Sequence, residues 1–172
     1  MNNKERKQQL FTRSLLAVYL CILTWIILFK MQFSFQELDR YHGINLIPFH
    51  ESVIVNNRIQ FSEIYNNILI FVPFGVYISM LKSNWTFLKK VVMIAGVSLF
   101  YEIIQFLLTI GASDITDLIG NTLGGIIGIT IYCILCRVFK INYKRNKIMN
   151  SIALVATICI VLLLILLVIA NT

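Results

Sequence analysis

Charged side chains are scarce in this 172-residue chain, where they make up 13% of the residues, whereas 58% are hydrophobic. Soluble domains carry about a quarter of charged residues, so this composition excludes an ordinary soluble fold. The chain instead contains apolar runs of bilayer length, each of about 20 residues. The sequence therefore predicts an all-α polytopic membrane protein, a bundle of about five transmembrane helices, with no room for a separate soluble domain.

Recognisable catalytic and metal-binding motifs are also lacking. The four cysteines fall in or beside apolar runs. Cys133 and Cys136 have the spacing of a redox pair, but no second pair and no thioredoxin-like context accompany them. The two histidines match no common metal motif, and no serine or cysteine nucleophile comes with a histidine base. We therefore expect no metal and no cofactor, and we interpret the cysteines as small core or lipid-facing residues.

The apolar runs divide the chain into a membrane domain and its flanks. A basic head at 1–12 precedes the membrane domain at 13–136, which holds four spans and a polar and aromatic loop at 30–63. A basic loop at 137–151 and a C-terminal apolar span at 152–172 follow. The final span carries no ionisable group, so we expect it at the edge of the bundle, facing lipid. The four earlier spans are predicted at 13–29, 64–81, 91–110 and 117–136.

Lysine and arginine are distributed unevenly between the two sides of these spans. Twelve of the 15 basic residues lie in the head, with Arg13 at its border counted there, or in the loops that follow the second and fourth spans, and three lie on the opposite side. By the positive-inside rule the larger group faces the cytoplasm, which predicts a cytoplasmic amino terminus and an extracytoplasmic carboxyl terminus. The net charge of +7 is then a topology signal and a contact for anionic lipid, and nucleic acid is not an expected partner.

Polar residues within the predicted spans collect near their extracytoplasmic ends. Glu102 and Gln105 are three residues apart, on one face of the third span. Asp114, Asp117 and Asn121 have the spacing i, i+3, i+7 and form one stripe that leads into the fourth span. Ionisable residues inside a bilayer are costly and usually face the bundle interior or a cavity. The pattern predicts an outward-facing polar cavity, with one wall from each of these two spans.

Small residues indicate how the fourth span packs. Gly120, Gly124 and Gly128 form a tandem small-xxx-small motif, which lets a neighbouring helix approach to backbone contact. Packing of this motif against the third span would bring Asn121 and Asp117 towards the polar pair of that span.

The second span is predicted to bend. Pro73 removes an amide hydrogen from the helix, and Gly75 adds freedom close to it. Asn67, near the extracytoplasmic end of the same span, is either an interfacial residue or part of the polar cavity. Asp114 also has two explanations, because a short acidic side chain at the start of a helix can cap its free amide groups.

Four segments together resemble the VanZ family: NLIPF at 45–49, NNILIFVPFG at 66–75, FYEIIQF at 100–106 and SDITDLIGNTLGGIIG at 113–128. Their order and spacing agree with the family pattern, and the resemblance covers roughly residues 15 to 135. On this resemblance we assign Asn45 and Asn67 to the polar cavity.

The resemblance implies a protein of the bacterial cell membrane that confers or contributes to resistance to teicoplanin-type lipoglycopeptide antibiotics. It supplies no catalytic residues. The partners it suggests are membrane lipids and either a lipoglycopeptide antibiotic or a polyprenyl-linked cell-wall precursor, because both join a lipid tail to a polar head. Either molecule would present that head at the depth of the predicted cavity.

Three alternatives remain open. An intramembrane hydrolase or transferase acting on a lipid head group or a cell-wall precursor could use Glu102, Asp114 and Asp117 as acid and base or as metal ligands. A small transporter is less favoured, because one off-centre cluster without a repeat suits alternating access poorly. The polar groups could also simply hydrogen-bond the helices together.

Overall fold

The computed structural model describes residues 3–29, 42–48, 54–55, 58–59, 61–139 and 141–171. Within these residues the chain forms five helices, α1 (Asn3–Phe29), α2 (Ser62–Leu81), α3 (Phe87–Leu108), α4 (Ile115–Val138) and α5 (Asn142–Asn171). All five are long and apolar enough to cross a membrane. The predicted all-α bundle of about five transmembrane helices is therefore confirmed.

Four short strands lie between the helices in the part of the chain that the structure describes. β1 (His42–Asn45) pairs in parallel with β4 (Gly111–Asp114), and β2 (Ile54–Val55) pairs in antiparallel with β3 (Arg58–Ile59). These strands belong to the predicted loop at 30–63 and to the turn between α3 and α4. Much of that loop, including Phe49 and His50, lies outside the described residues.

Two helices begin ten residues before the predicted spans. α1 begins at Asn3, inside the predicted basic head, and α5 begins at Asn142, inside the predicted basic loop at 137–151. Lysine, arginine and glutamine are good helix formers, so a basic segment next to an apolar one continues the same helix. Hydropathy marks where a helix becomes apolar and not where it begins.

α2 and α4 run side by side in the same direction and form the tightest contact of the bundle. A Cβ atom added at Gly124 would overlap the carbonyl oxygen of Ile68, and one at Gly128 would overlap that of Val72. Gly75 of α2 meets the backbone of α4 at Gly125 in the same way. The predicted close approach is therefore present, but the glycines of α4 pack against α2, and the expected packing of this motif against the third span is wrong.

α3 covers the adjacent face of α4 and runs antiparallel to it. Ile94 of α3 is fully buried against Gly125, where an added Cβ would lie 2.5 Å from its Cγ2 atom. Ile94 belongs to one apolar core together with Leu23 of α1, Phe71 of α2 and Ile129 of α4. Gly125 is thus enclosed by two helices at once, which explains why a side chain is absent there.

α1 is joined to α2 and α3 by hydrogen bonds from polar side chains. The Tyr19 hydroxyl donates to the carbonyl oxygen of Ile70, three residues before Pro73. Thr24 and Tyr101 share a hydrogen bond of 2.9 Å between their hydroxyl groups. α2 remains one continuous helix through Pro73, so its proline is accommodated within the helix, and the predicted bend stays a prediction.

α5 lies at the edge of the bundle, as expected, since only 6% of its apolar window is buried. Its first turns contact α1, where Gln8 Nε2 donates to the carbonyl oxygen of Tyr143 at 3.2 Å. We call this end of the bundle, with the start of α1 and the turns after α2 and α4, the basic end. The opposite end, with β1, β4 and the start of α2, is called the polar end.

Candidate functional site at the polar end

The parallel pair of β1 and β4 builds the polar end. α3 stops at Thr109, whose left-handed backbone (φ 55°, ψ 33°) reverses the chain. The amide of Ile110 donates to the carbonyl oxygen of Gln105 at 3.2 Å, as in a Schellman cap. The chain then enters β4, in which Asp114 lies opposite Asn45 of β1. Asn45 and Asp114, which are far apart in the sequence, are thereby brought together at the end of the hairpin formed by α3 and α4.

Glu102 is the deepest acid of this end. Its side chain is only 3% exposed, and its Oε2 atom accepts a hydrogen bond of 3.0 Å from the backbone amide of Asp114. A carboxylate that satisfies a buried backbone donor stabilises the turn around it. Glu102 therefore fixes the start of α4 relative to α3.

Asp114 uses both carboxylate oxygens. Oδ1 accepts the amide of Thr116 at 2.7 Å, which makes Asp114 the N-cap of α4. Oδ2 accepts a hydrogen bond of 3.1 Å from the side-chain amide of Asn45. The capping hypothesis is confirmed, and the same side chain also links α4 to β1. Asn45 is held in turn, because its Oδ1 accepts the amide of Ile47 at 3.1 Å.

Asp117 faces α2. Its Oδ1 atom accepts a hydrogen bond of 2.7 Å from the side-chain amide of Asn67. Both side chains are partly exposed, whereas Glu102 and Asp114 are buried. Of these three acids, Asp117 is therefore the one whose side chain is partly exposed. We call Asn45, Asn67, Glu102, Asp114 and Asp117 the polar cluster.

Two residues of the predicted cavity have other partners. The side-chain amide of Asn121 donates to Ser98 at 2.9 Å, and Gln105 donates to the carbonyl oxygen of Ile27 on α1 at 3.0 Å. The expected approach of Asn121 to Gln105 is therefore wrong. The reason is that Asn121 lies level with Ser98 on the antiparallel α3, and Ser98 is seven residues, about two turns, before Gln105. Asn121 Oδ1 is buried and has no hydrogen-bond partner among the residues that the structure describes.

The chemistry available to the polar cluster is hydrogen bonding and charge. Among the described residues, no group of three or more histidine, cysteine, aspartate or glutamate side chains is arranged to hold a metal ion. Glu102 and Asp114 already accept amide hydrogen bonds, which is typical of carboxylates that stabilise a fold. The enzymatic alternative built on these acids and Asp117 stays a prediction.

A second polar network, at the basic end, was not predicted from the sequence. Arg145 is buried, donates to the Tyr132 hydroxyl at 3.0 Å, and lies 5.0 Å from the centre of its ring. Thr12 and Asn150 form a buried side-chain pair between α1 and α5. Asn146 and Asn150 are four residues apart and therefore share one face of a helix. A loop at 137–151 has no such face, so the predicted loop gave no reason to place these two side chains together.

Comparisons with known proteins agree with these features. The sequence profile of the VanZ/LLP1 family matches residues 16–137. The chain is also 38% identical over 159 residues to Protein VanZ from Enterococcus faecium, which covers 91% of this chain and 92% of that protein. No solved structure matches. With five apolar helices and a family match that includes the whole polar cluster, the chain is a multi-pass membrane protein that belongs to the VanZ family.

Proposed function

We propose that this protein contributes to resistance against teicoplanin-type lipoglycopeptides and that the polar end of its bundle carries this activity. The observation that carries the proposal is the 38% identity to Protein VanZ across nearly the whole of both chains. The family match at 16–137 spans every residue of the polar cluster. The proposal therefore assigns the activity to the part of the chain that defines the family.

The polar end is proposed to face the outside of the cell. The start of α1 and the turns after α2 and α4 lie together at the basic end, and they hold most of the lysine and arginine residues. Short basic segments beside membrane spans stay in the cytoplasm. This orientation exposes the polar cluster where a lipid-tailed molecule in the outer leaflet presents its polar head.

The polar cluster has two layers with different proposed roles. Glu102 and Asp114 are buried and hold the start of α4, so they act as positioning residues. Asn67 and Asp117 are partly exposed and hydrogen-bonded to each other. This pair is proposed to contact the polar head of a lipoglycopeptide or of a polyprenyl-linked cell-wall precursor, while the lipid tail remains among the helices.

The proposal is tested by teicoplanin susceptibility in a sensitive bacterial host that expresses the chain. Asp117→Asn keeps the size of the side chain and an oxygen for Asn67, yet it removes the charge, so we expect most of the resistance to be lost. Glu63→Gln is the matched control, because Glu63 is an exposed acid in the first turn of α2, outside the polar cluster. This variant should retain the resistance.

Protein abundance must be measured beside susceptibility. If Asp117→Asn, Glu102→Gln and Asn121→Ala all retain full resistance at matched abundance, the polar end is not the site of activity. If resistance and abundance fall in parallel in every variant, the polar groups serve only to hold the helices together. If the unaltered chain gives no resistance at all, the proposed function itself is wrong.

A further inference from the structure

A cleft between the first turns of α1 and α5, at the basic end, is distinct from the polar cluster. It encloses a volume of about 360 Å³. Lys4 and Lys7 of α1 and Lys147 of α5 line it, together with Phe11 and Tyr143. Three cations thus converge on one cleft from two helices that are far apart in the sequence. We propose that this cleft binds the phosphate head group of an anionic phospholipid.

The charge of the side chains that line the cleft is the first argument for a bound phosphate head group. The side chains that line the cleft include three lysines and no acidic residue. The acid nearest in sequence, Glu5, lines a neighbouring cavity of about 180 Å³ together with Arg145. Like charges gathered around a cleft repel one another, and a bound anion offsets that repulsion. A phosphate group accepts hydrogen bonds from several ammonium groups at once.

The position of the cleft along the helices selects a lipid over a soluble anion. Lys4 and Lys7 lie in the basic first turns of α1, and Phe11 lies one turn after Lys7, before the apolar run that begins at Leu15. Phe11 is 42% exposed, and most residues that follow on α5, such as Ile152 and Val155, are exposed too. A phospholipid has the same order of chemistry, with its phosphate at the interface and its acyl chains below. A soluble anion would contact the lysines but would leave the exposed apolar side chains uncovered.

The cleft is held in shape by polar contacts that do not depend on a ligand. Thr12 and Asn150 are each 2% exposed and exchange hydrogen bonds of 2.9 and 3.0 Å. Gln8 lies one turn before Thr12 on α1, and its side chain donates to the backbone carbonyl oxygen of Tyr143, about two turns before Asn150 on α5. These contacts fix α1 against α5 on one side of the lysines. Because the site is formed in advance, binding does not have to order it.

The test uses the full-length protein purified in a neutral detergent and native mass spectrometry, with phosphatidylglycerol and phosphatidylcholine as probes. We expect preferential retention of phosphatidylglycerol. A variant with Lys4→Gln, Lys7→Gln and Lys147→Gln should bind it more weakly by roughly tenfold or more, since it loses three direct contacts between an ammonium group and the bound phosphate.

The matched control removes the same charge elsewhere at the basic end, with Lys89→Gln, Arg137→Gln and Lys144→Gln, all of which are exposed and do not line the cleft. It should bind phosphatidylglycerol within about twofold of the unaltered protein, a difference well below 1 kcal/mol. An equal loss in both variants, or equal retention of both lipids, overturns the proposal. Displacement of the lipid by inorganic phosphate at similar concentration also overturns it and assigns the cleft to a soluble anion.

Discussion

Asp114 is the residue through which the strand pair and the helix hairpin depend on each other. One carboxylate oxygen caps α4 at Thr116, and the other accepts the Asn45 side chain from β1. Its backbone amide donates to Glu102. A single residue therefore connects α3, α4 and β1, so its substitution should affect the position of all three elements.

Substitution of Asp114 tests this arrangement. Asp114→Ala removes both the cap and the link to Asn45, and we expect the free energy of unfolding to fall by about 1–2 kcal/mol. Asp114→Asn retains an oxygen for Thr116, because asparagine is an equally good N-cap residue, and should lose less. Thermal unfolding of the purified protein in detergent measures both changes. A loss for Asp114→Asn as large as that for Asp114→Ala would show that the charge, and not the capping oxygen, stabilises this turn.

At the scale of the elements, the fold depends on the contact between α2 and α4. The carbonyl groups of α2 occupy the space that side chains would fill at Gly124 and Gly128. Gly120, in the same sequence motif, is less enclosed, since an added Cβ would lie 3.4 Å from that of Asn67. The three glycines of the motif therefore differ in how closely the neighbouring helix approaches them, although their spacing in the sequence is the same.

Alanine substitutions should reproduce that order. Gly124→Ala and Gly128→Ala force the helices apart, and we expect each to lower stability by about 1–3 kcal/mol. Gly120→Ala should cost less. Gly96→Ala is the control, because nothing lies within 4 Å of its added Cβ and alanine favours a helix by about 1 kcal/mol over glycine. The melting temperature in detergent gives the ranking, and a Gly96→Ala loss as large as that of Gly124→Ala would contradict the packing described.

Sequence periodicity predicted which residues share a helix face, but it did not identify the neighbour of that face. Gln105 lies one turn from Glu102, yet it contacts α1, whereas Glu102 contacts the start of α4. The glycine motif likewise indicated a close helix without saying that the helix is α2. The pairing of Asn45 with Asp114 spans 69 residues. No local pattern contains that contact, because its two residues belong to segments that meet only in the folded chain.

The two ends of the molecule must lie on opposite sides of the membrane if the proposed function is correct. Ser62 begins α2 at the polar end, and Asn84 lies in the exposed turn after α2 at the basic end. Single cysteines at these two positions, in a chain whose native cysteines are replaced, report the side on which each end lies.

Labelling with a membrane-impermeant maleimide reads out this orientation. We expect Ser62→Cys to react in intact cells and Asn84→Cys to react only after permeabilisation, because the basic segments remain in the cytoplasm. Both should react in permeabilised cells, which controls for accessibility. The reverse pattern would place the polar cluster in the cytoplasm and remove the basis of the proposed function.

Photo-crosslinking from position 63 shows most directly whether the polar end contacts a lipid-tailed molecule. A photo-reactive residue replaces Glu63, which is exposed one turn before Asn67 on α2, so that Asn67 and Asp117 are both kept. A second chain carries the photo-reactive residue at Leu123 of α4, which is 45% exposed and serves as the control. Because the polar end is proposed to engage the head of a lipid-tailed molecule, position 63 should capture teicoplanin or a polyprenyl-linked precursor, and position 123 should capture bulk phospholipid. Capture of phospholipid alone from both positions would contradict this proposal.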